Sequence, residues 1–153
     1  MRDRRIEAGI ITIIPKEVEA IFNIFNINPD EFVNINKPFD YWESKIYSPL
    51  NNKDIRIIVT FLSGTAGNTE SGITTAFFLR DWRPKIMCLV GIAAGVEGKV
   101  KIGDVIIPDK IHDVCVTVRK GGEDYPRGDV RHRDVLIERM LKIRPLSRAA
   151  FNN

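Results

Sequence analysis

Glu17 is the first side chain whose type and place suggest chemistry. It lies in the first turn of a helix that follows an apolar strand, where the helix dipole favours a carboxylate and the carboxyl edge of a sheet is close by. A carboxylate so placed can orient and deprotonate a water, or it can serve only the helix. Glu19, two residues on, faces elsewhere and makes a poor partner for paired-carboxylate work. Two glycine-bearing turns add to the acid. Gly64-Thr65-Ala66-Gly67-Asn68 precedes a helix, so its backbone N–H groups can hold an anion or a polar sugar, or simply turn the chain. Gly91-Ile92-Ala93-Ala94-Gly95-Val96 puts small residues at a strand end, which allows a planar ligand or a second backbone to come close.

Other chemistries find less support. Gly98-Lys99 suggests a phosphate loop, but the pattern needs Gly where Ala93 stands and Ser or Thr where Val100 stands. His112 and His132 have no metal-ligand spacing, and no Ser or Cys sits in a recognisable nucleophile elbow. Cys88 and Cys115 read as buried thiols in separate strand-like runs. No metal and no cofactor is therefore expected. A basic stretch (Arg127, Arg131, His132 and Arg133, then Arg139, Lys142, Arg144 and Arg148) reads as a solvated helix face. Aromatic interleaving is nearly absent there, which ranks nucleic-acid binding last.

The elements that must position these residues follow from apolar spacing. Ala8 to Ile14 is a buried-type strand, and Pro15 suits the first position of a helix carrying Val18, Ile21, Phe22 and Phe25 on one face. Tyr41–Tyr47 and Asp54–Leu62 read as a hairpin around Ser48 to Lys53. A helix then runs from the Gly64 turn to about Arg80. Strands are expected at Ile86–Ile92, at Asp104–Pro108 and at Ile111–Val118, followed by an exposed loop from Gly121 to Asp129 and a helix from Asp134 to Ile143. Such alternation predicts an α/β fold, a mostly parallel or mixed sheet flanked by helices, with ligands beyond the strand carboxyl ends. The ends after Ile14, Leu62 and Val90 are the places to look.

Composition fits this reading. The 153 residues, 44% hydrophobic and 28% charged, correspond to one globular domain that buries roughly 70% of its unfolded surface. No run approaches the ~18 apolar residues of a membrane span, and the charged start lacks a signal core, so a cytoplasmic protein is expected. A net charge of +3 is too small to select a partner.

Taken in order, the three strand ends resemble the purine nucleoside phosphorylase and nucleosidase superfamily. The likeness is carried by Gly9-Ile10-Ile11-Thr12-Ile13-Ile14-Pro15-Lys16-Glu17-Val18, by Ser63-Gly64-Thr65-Ala66-Gly67-Asn68, and by Arg83-Pro84-Lys85-Ile86 leading into Val90 to Val96. Lys101-Ile102-Gly103-Asp104-Val105-Ile106-Ile107 completes it, so that it covers about residues 8–118. The resemblance implies cleavage of a ribosyl–base bond through an oxocarbenium-like transition state, with Glu17 orienting the attacking water. Ile92, Ala93 and Ala94 are then expected to line the nucleoside site, and Gly64, Thr65, Ala66, Gly67 and Asn68 to lie beside the sugar. The partner so implied is a small-molecule nucleoside or nucleotide.

Departures from the family refine the expectation. Leu89 and Ile92 stand where bacterial-type phosphorylases carry an arginine and a serine for phosphate, which favours hydrolysis over phosphorolysis. The family's later glutamate for the ribose hydroxyls, and the Asp that protonates the leaving base, have no recognisable motif after Val118. Residues 1–153 are therefore read as a single, truncated domain of this type, incomplete at its C-terminus, and a nucleosidase when complete. The alternative is a non-catalytic nucleoside-binding or oligomerisation module that keeps the fold. Relatives commonly associate, and an incomplete sheet edge encourages pairing, so a homo-oligomer is expected in either case.

Overall fold

The computed structural model describes residues 6–33, 38–49, 52–62, 64, 67–112, 117–126, 130–132 and 135. Its first strand, β1 (Ile6–Thr12), is followed directly by helix α1 (Pro15–Phe25). Pro15 opens the helix, where its missing N–H costs nothing and its fixed φ is already helical. Asn26 closes it in the left-handed conformation, φ 51°, with its N–H donated to the Phe22 carbonyl. Strands β2 (Trp42–Ser48) and β3 (Lys53–Phe61) form the expected antiparallel hairpin. Helix α2 (Asn68–Trp82) and strand β4 (Pro84–Leu89) come next.

These strands make one mixed sheet in the order β2-β3-β1-β4, with β3 and β4 both parallel to the central β1. The chain crosses from β1 to β3 in one direction and from β3 back over β1 to β4 in the other. Right-handed connections in opposite directions put their helices on opposite faces of a sheet. The two core clusters show this arrangement. Ile10, Ile57, Val59 and Trp42 pack with Val18, Ile21 and Phe22 of α1, whereas Ile11 and Ile58 pack with Phe78 and Trp82 of α2. Successive side chains alternate between the faces, so a strand covered on both sides must be apolar almost throughout, as β1 is. Glu7 and Thr12 are the polar residues of β1, and Gly9 adds no side chain at all. A Cβ there would lie 2.6 Å from the Phe78 ring and 2.7 Å from the Met87 sulfur, so the missing side chain is what lets α2 approach the sheet.

The sheet and its two helices belong to a compact unit of residues 1–94, and residues 95–153 form a second. In the second unit β5 (Lys110–His112) pairs antiparallel with β8 (Val130–His132), and β6 (Thr117–Lys120) pairs with β7 (Glu123–Pro126). Two expectations are corrected here. Asp104–Pro108 is not a strand. Asp104 closes a turn with Lys101 instead, and Val105, Ile106 and Ile107 are exposed, with no neighbouring strand among the described residues to satisfy a ladder. The segment from Gly121 is not simply a loop. Gly121 and Gly122 have φ of 62° and 91°, the two positive values that a two-residue hairpin turn requires, and Lys120 pairs with Glu123 across them. The helix expected over residues 134–143 lies outside the described residues apart from Val135.

Candidate active site

Because β1, β3 and β4 are parallel, their carboxyl ends reach the same edge of the sheet. The ladder runs one residue past each outer strand: the Leu62 N–H donates to the Thr12 carbonyl (3.1 Å) and the Val90 N–H to the Ile11 carbonyl (3.0 Å). There the chain leaves the sheet, and it leaves N–H groups without a strand partner. Glu17 collects three of them. Its Oε2 accepts from the N–H of Ile13 (2.9 Å) and of Ile14 (3.1 Å), and its Oε1 accepts from the N–H of Ile92 (2.8 Å). The contact with Ile14 is one half of a capping box, since the residue before the helix is an isoleucine with no acceptor to return. The contact with Ile92 spans 75 residues of sequence and ties the end of β4 to the start of α1.

This setting determines the charge of the acid. Desolvation pulls the Glu17 pKa upward, but the N–H groups of Ile92, Ile13 and Ile14 together outweigh it and hold the carboxyl below its ordinary value. The group is therefore ionised at neutral pH. An ionised carboxylate offers about four acceptor directions. Two on Oε2 and one on Oε1 are taken, which leaves Oε1 able to accept a further hydrogen bond from outside the protein.

Gly91, expected from the sequence only as one of the small residues of its turn, is part of the same geometry. A Cβ on Gly91 would lie 2.7 Å from Glu17 Oε1 and 3.1 Å from its Cδ. Ile92, Ala93 and Ala94 follow it as an exposed stretch, with Ile92 76% exposed. Of the second turn, Gly64 and Gly67 are exposed, Gly67 is the residue before α2, and Asn68 is its first residue, whereas Thr65 and Ala66 lie outside the described residues. Topology brings this turn to the edge where Glu17 sits; the hydrogen bonds join Glu17 to Ile92 alone among the described residues of the expected lining. Glu70 is a further acid that sequence reading missed. It stands in the first turn of α2, its Oε2 3.7 Å from where a Gly64 Cβ would be, and the signal was its place three residues after Gly67.

The remaining candidates are set apart from this edge in kind. His112 and His132 are exposed, and no group of His, Cys, Asp or Glu among the described residues could hold a metal ion. Cys88 lies half-buried in β4, where desolvation pushes its thiol pKa up, and Cys115 lies outside the described residues. No helix of the described residues is long and apolar enough to cross a membrane.

No family model matches the chain. Among curated proteins it is 28% identical over 123 residues to the ATP nucleosidase Cap17 of Escherichia coli, a stretch that is 79% of this chain and 24% of that protein. It is 29% identical over 112 residues to the 5'-methylthioadenosine/S-adenosylhomocysteine nucleosidase of Glaesserella parasuis, covering 71% of this chain and 44% of the relative. Thus the chain spans less than half of these relatives' lengths, and about a quarter in the case of Cap17. The Helicobacter pylori 5'-methylthioadenosine/S-adenosyl homocysteine nucleosidase, crystallised with a pyrrolidine-based ligand, shares the fold. Its TM-score is 0.65 at 17% identity, over 90% of this chain and 56% of that one. The relatives matched by sequence are nucleosidases and the mixed α/β fold is shared with a nucleosidase, so the similarities support the nucleoside phosphorylase and nucleosidase superfamily for this chain.

Proposed function

We propose that this chain supplies the water-activating side of a purine nucleoside or nucleotide N-glycosidase. The observation that carries the reading is the Glu17 carboxylate, fixed at the sheet's carboxyl edge by three backbone N–H groups and left with an acceptor direction on Oε1. A water donating to Oε1 is held with its oxygen free to attack. As the ribosyl C1′–N bond breaks, its electron pair leaves with the base, the water oxygen bonds to C1′, and Glu17 takes the water's proton. The base nitrogen is protonated by a separate acid or by solvent. Ile92, Ala93 and Ala94 pack against the nucleoside, and the turn from Gly64 through Thr65, Ala66 and Gly67 to Asn68 lies beside the sugar. Exposed apolar Leu89 (66%) and Ile92 offer no charged group to a phosphate nucleophile, which supports hydrolysis over phosphorolysis.

The relatives' names support a substrate with an adenine-type base and leave the sugar substituent open between a nucleotide and a thioether nucleoside. Residues 1–153 act in this reading as part of one phosphorylase-like domain, in the cytoplasm and as a homo-oligomer. The test is release of free base from a panel of purine nucleosides and nucleotides, with and without phosphate, by this chain and by any longer product of its gene. Phosphate-independent release is expected, and Glu17→Gln should lower it by about 10²- to 10⁴-fold, the usual span for a general base, without loss of folding. Strict phosphate dependence, or full turnover by Glu17→Gln, would overturn the mechanism.

A further inference from the structure

We infer that Gly91 is a positioning residue for Glu17: the space left by its missing side chain is where the carboxylate oxygen Oε1 docks on the Ile92 N–H. The inference rests on the reading of Glu17 as the water-activating base. Glycine is not required at this position for backbone reasons. The glycines with positive φ among the described residues are Gly98, Gly103, Gly121 and Gly122, and Gly91 is not one of them, so an alanine backbone fits there. What an alanine methyl meets is the acid itself, with Oε1 at 2.7 Å, Cδ at 3.1 Å and Oε2 at 3.3 Å, and these are its nearest contacts. Cβ atoms do not sit 2.7 Å from an oxygen, so one of the two must move. The carboxylate is the far end of a flexible side chain, whereas Gly91 is fixed to the sheet through the Val90 N–H bond to Ile11.

Displacing the carboxylate has a defined chemical result. Oε1 loses the Ile92 N–H, and the oxygen that carries the remaining acceptor direction no longer points where the water is held. The Oε2 bonds to Ile13 and Ile14 belong to the residue's own helix start and can survive a rotation about the side chain. Gly91→Ala should therefore keep the fold and lose the alignment.

The test is a side-chain carboxyl titration by NMR in this chain, comparing the native protein with Gly91→Ala. In the native protein the Ile92 amide resonance should titrate together with the Glu17 carboxyl. In Gly91→Ala the Glu17 titration should move up toward that of an ordinary glutamate, and the Ile92 amide should cease to follow it. An unchanged Glu17 titration with the Ile92 amide still following would overturn the inference. Should Gly91→Ala fail to fold, the same substitution is made in Glu17→Ala, where no carboxylate stands in the way. Recovery of cooperative unfolding there supports the inference, and failure in both backgrounds overturns it. In a form that releases base, Gly91→Ala should lower kcat at least tenfold with KM little changed, and should cost nothing further in Glu17→Gln. Absence of base release in every form would sink the functional reading while the titration still decides the role of Gly91.

Discussion

Three donors converge on one carboxylate at Glu17, and that arrangement links the residue's chemistry to the stability of the fold. Its pKa is held below the ordinary 4.5 in the folded chain, so its ionised form stabilises the native state. This contribution is fully present above the unfolded pKa and is lost as pH falls through the lower folded value. Urea unfolding of the native protein and of Glu17→Gln at a series of pH values should therefore show the native protein ahead at pH 7, with the gap closing as pH falls below the ordinary 4.5. A gap that stays constant through the acid range would mean that the three bonds do not favour the charged form. At the residue scale the sequence was informative about Glu17 because a carboxylate in a first helical turn beside a strand end is a local pattern. It was uninformative about Gly91, because the contact that explains that glycine comes from an acid 74 positions earlier and appears only once β1 and β4 are paired.

The elements were legible wherever their pattern was self-contained. The apolar run of β1, the proline at the head of α1 and the hairpin of β2 and β3 all follow from spacing and turn residues. Asp104–Pro108 was misread because a short run of β-branched apolar residues marks a segment that can be a strand, while a ladder needs a partner that the run itself cannot supply. The hairpin at Gly121-Gly122 was misread for the opposite reason: its signal was present in the adjacent glycines and was taken for an exposed loop. Packing of α2 on the sheet depends on Gly9 as well as on the apolar residues. Gly9→Ala drives a methyl into the Phe78 ring and the Met87 sulfur and should cost about 1–3 kcal/mol in urea unfolding. Phe78→Ala, which empties a fully buried site, should cost about 3–5 kcal/mol. The double variant should lose less than the sum, since the methyl then enters the space the ring has vacated.

For the molecule as a whole, buried hydrophobic residues among those described fall between Ile6 and Trp82, all within the unit of residues 1–94. That unit also contains the Glu17 bond to Ile92. A fragment of residues 1–94 should therefore unfold cooperatively and retain the low Glu17 titration, as circular dichroism and NMR would check. A fragment without a cooperative transition would show that the second unit contributes to the fold. The bridge between β4 and α1 has a consequence for descent. A lineage that abandons hydrolysis still needs an acceptor for the Ile13, Ile14 and Ile92 N–H groups, so selection for a sound sheet edge would preserve the glutamate after turnover is gone. An acid retained at this position in a descendant records how the edge is closed. Whether catalysis survives there is to be read from the groups around the sugar and the departing base.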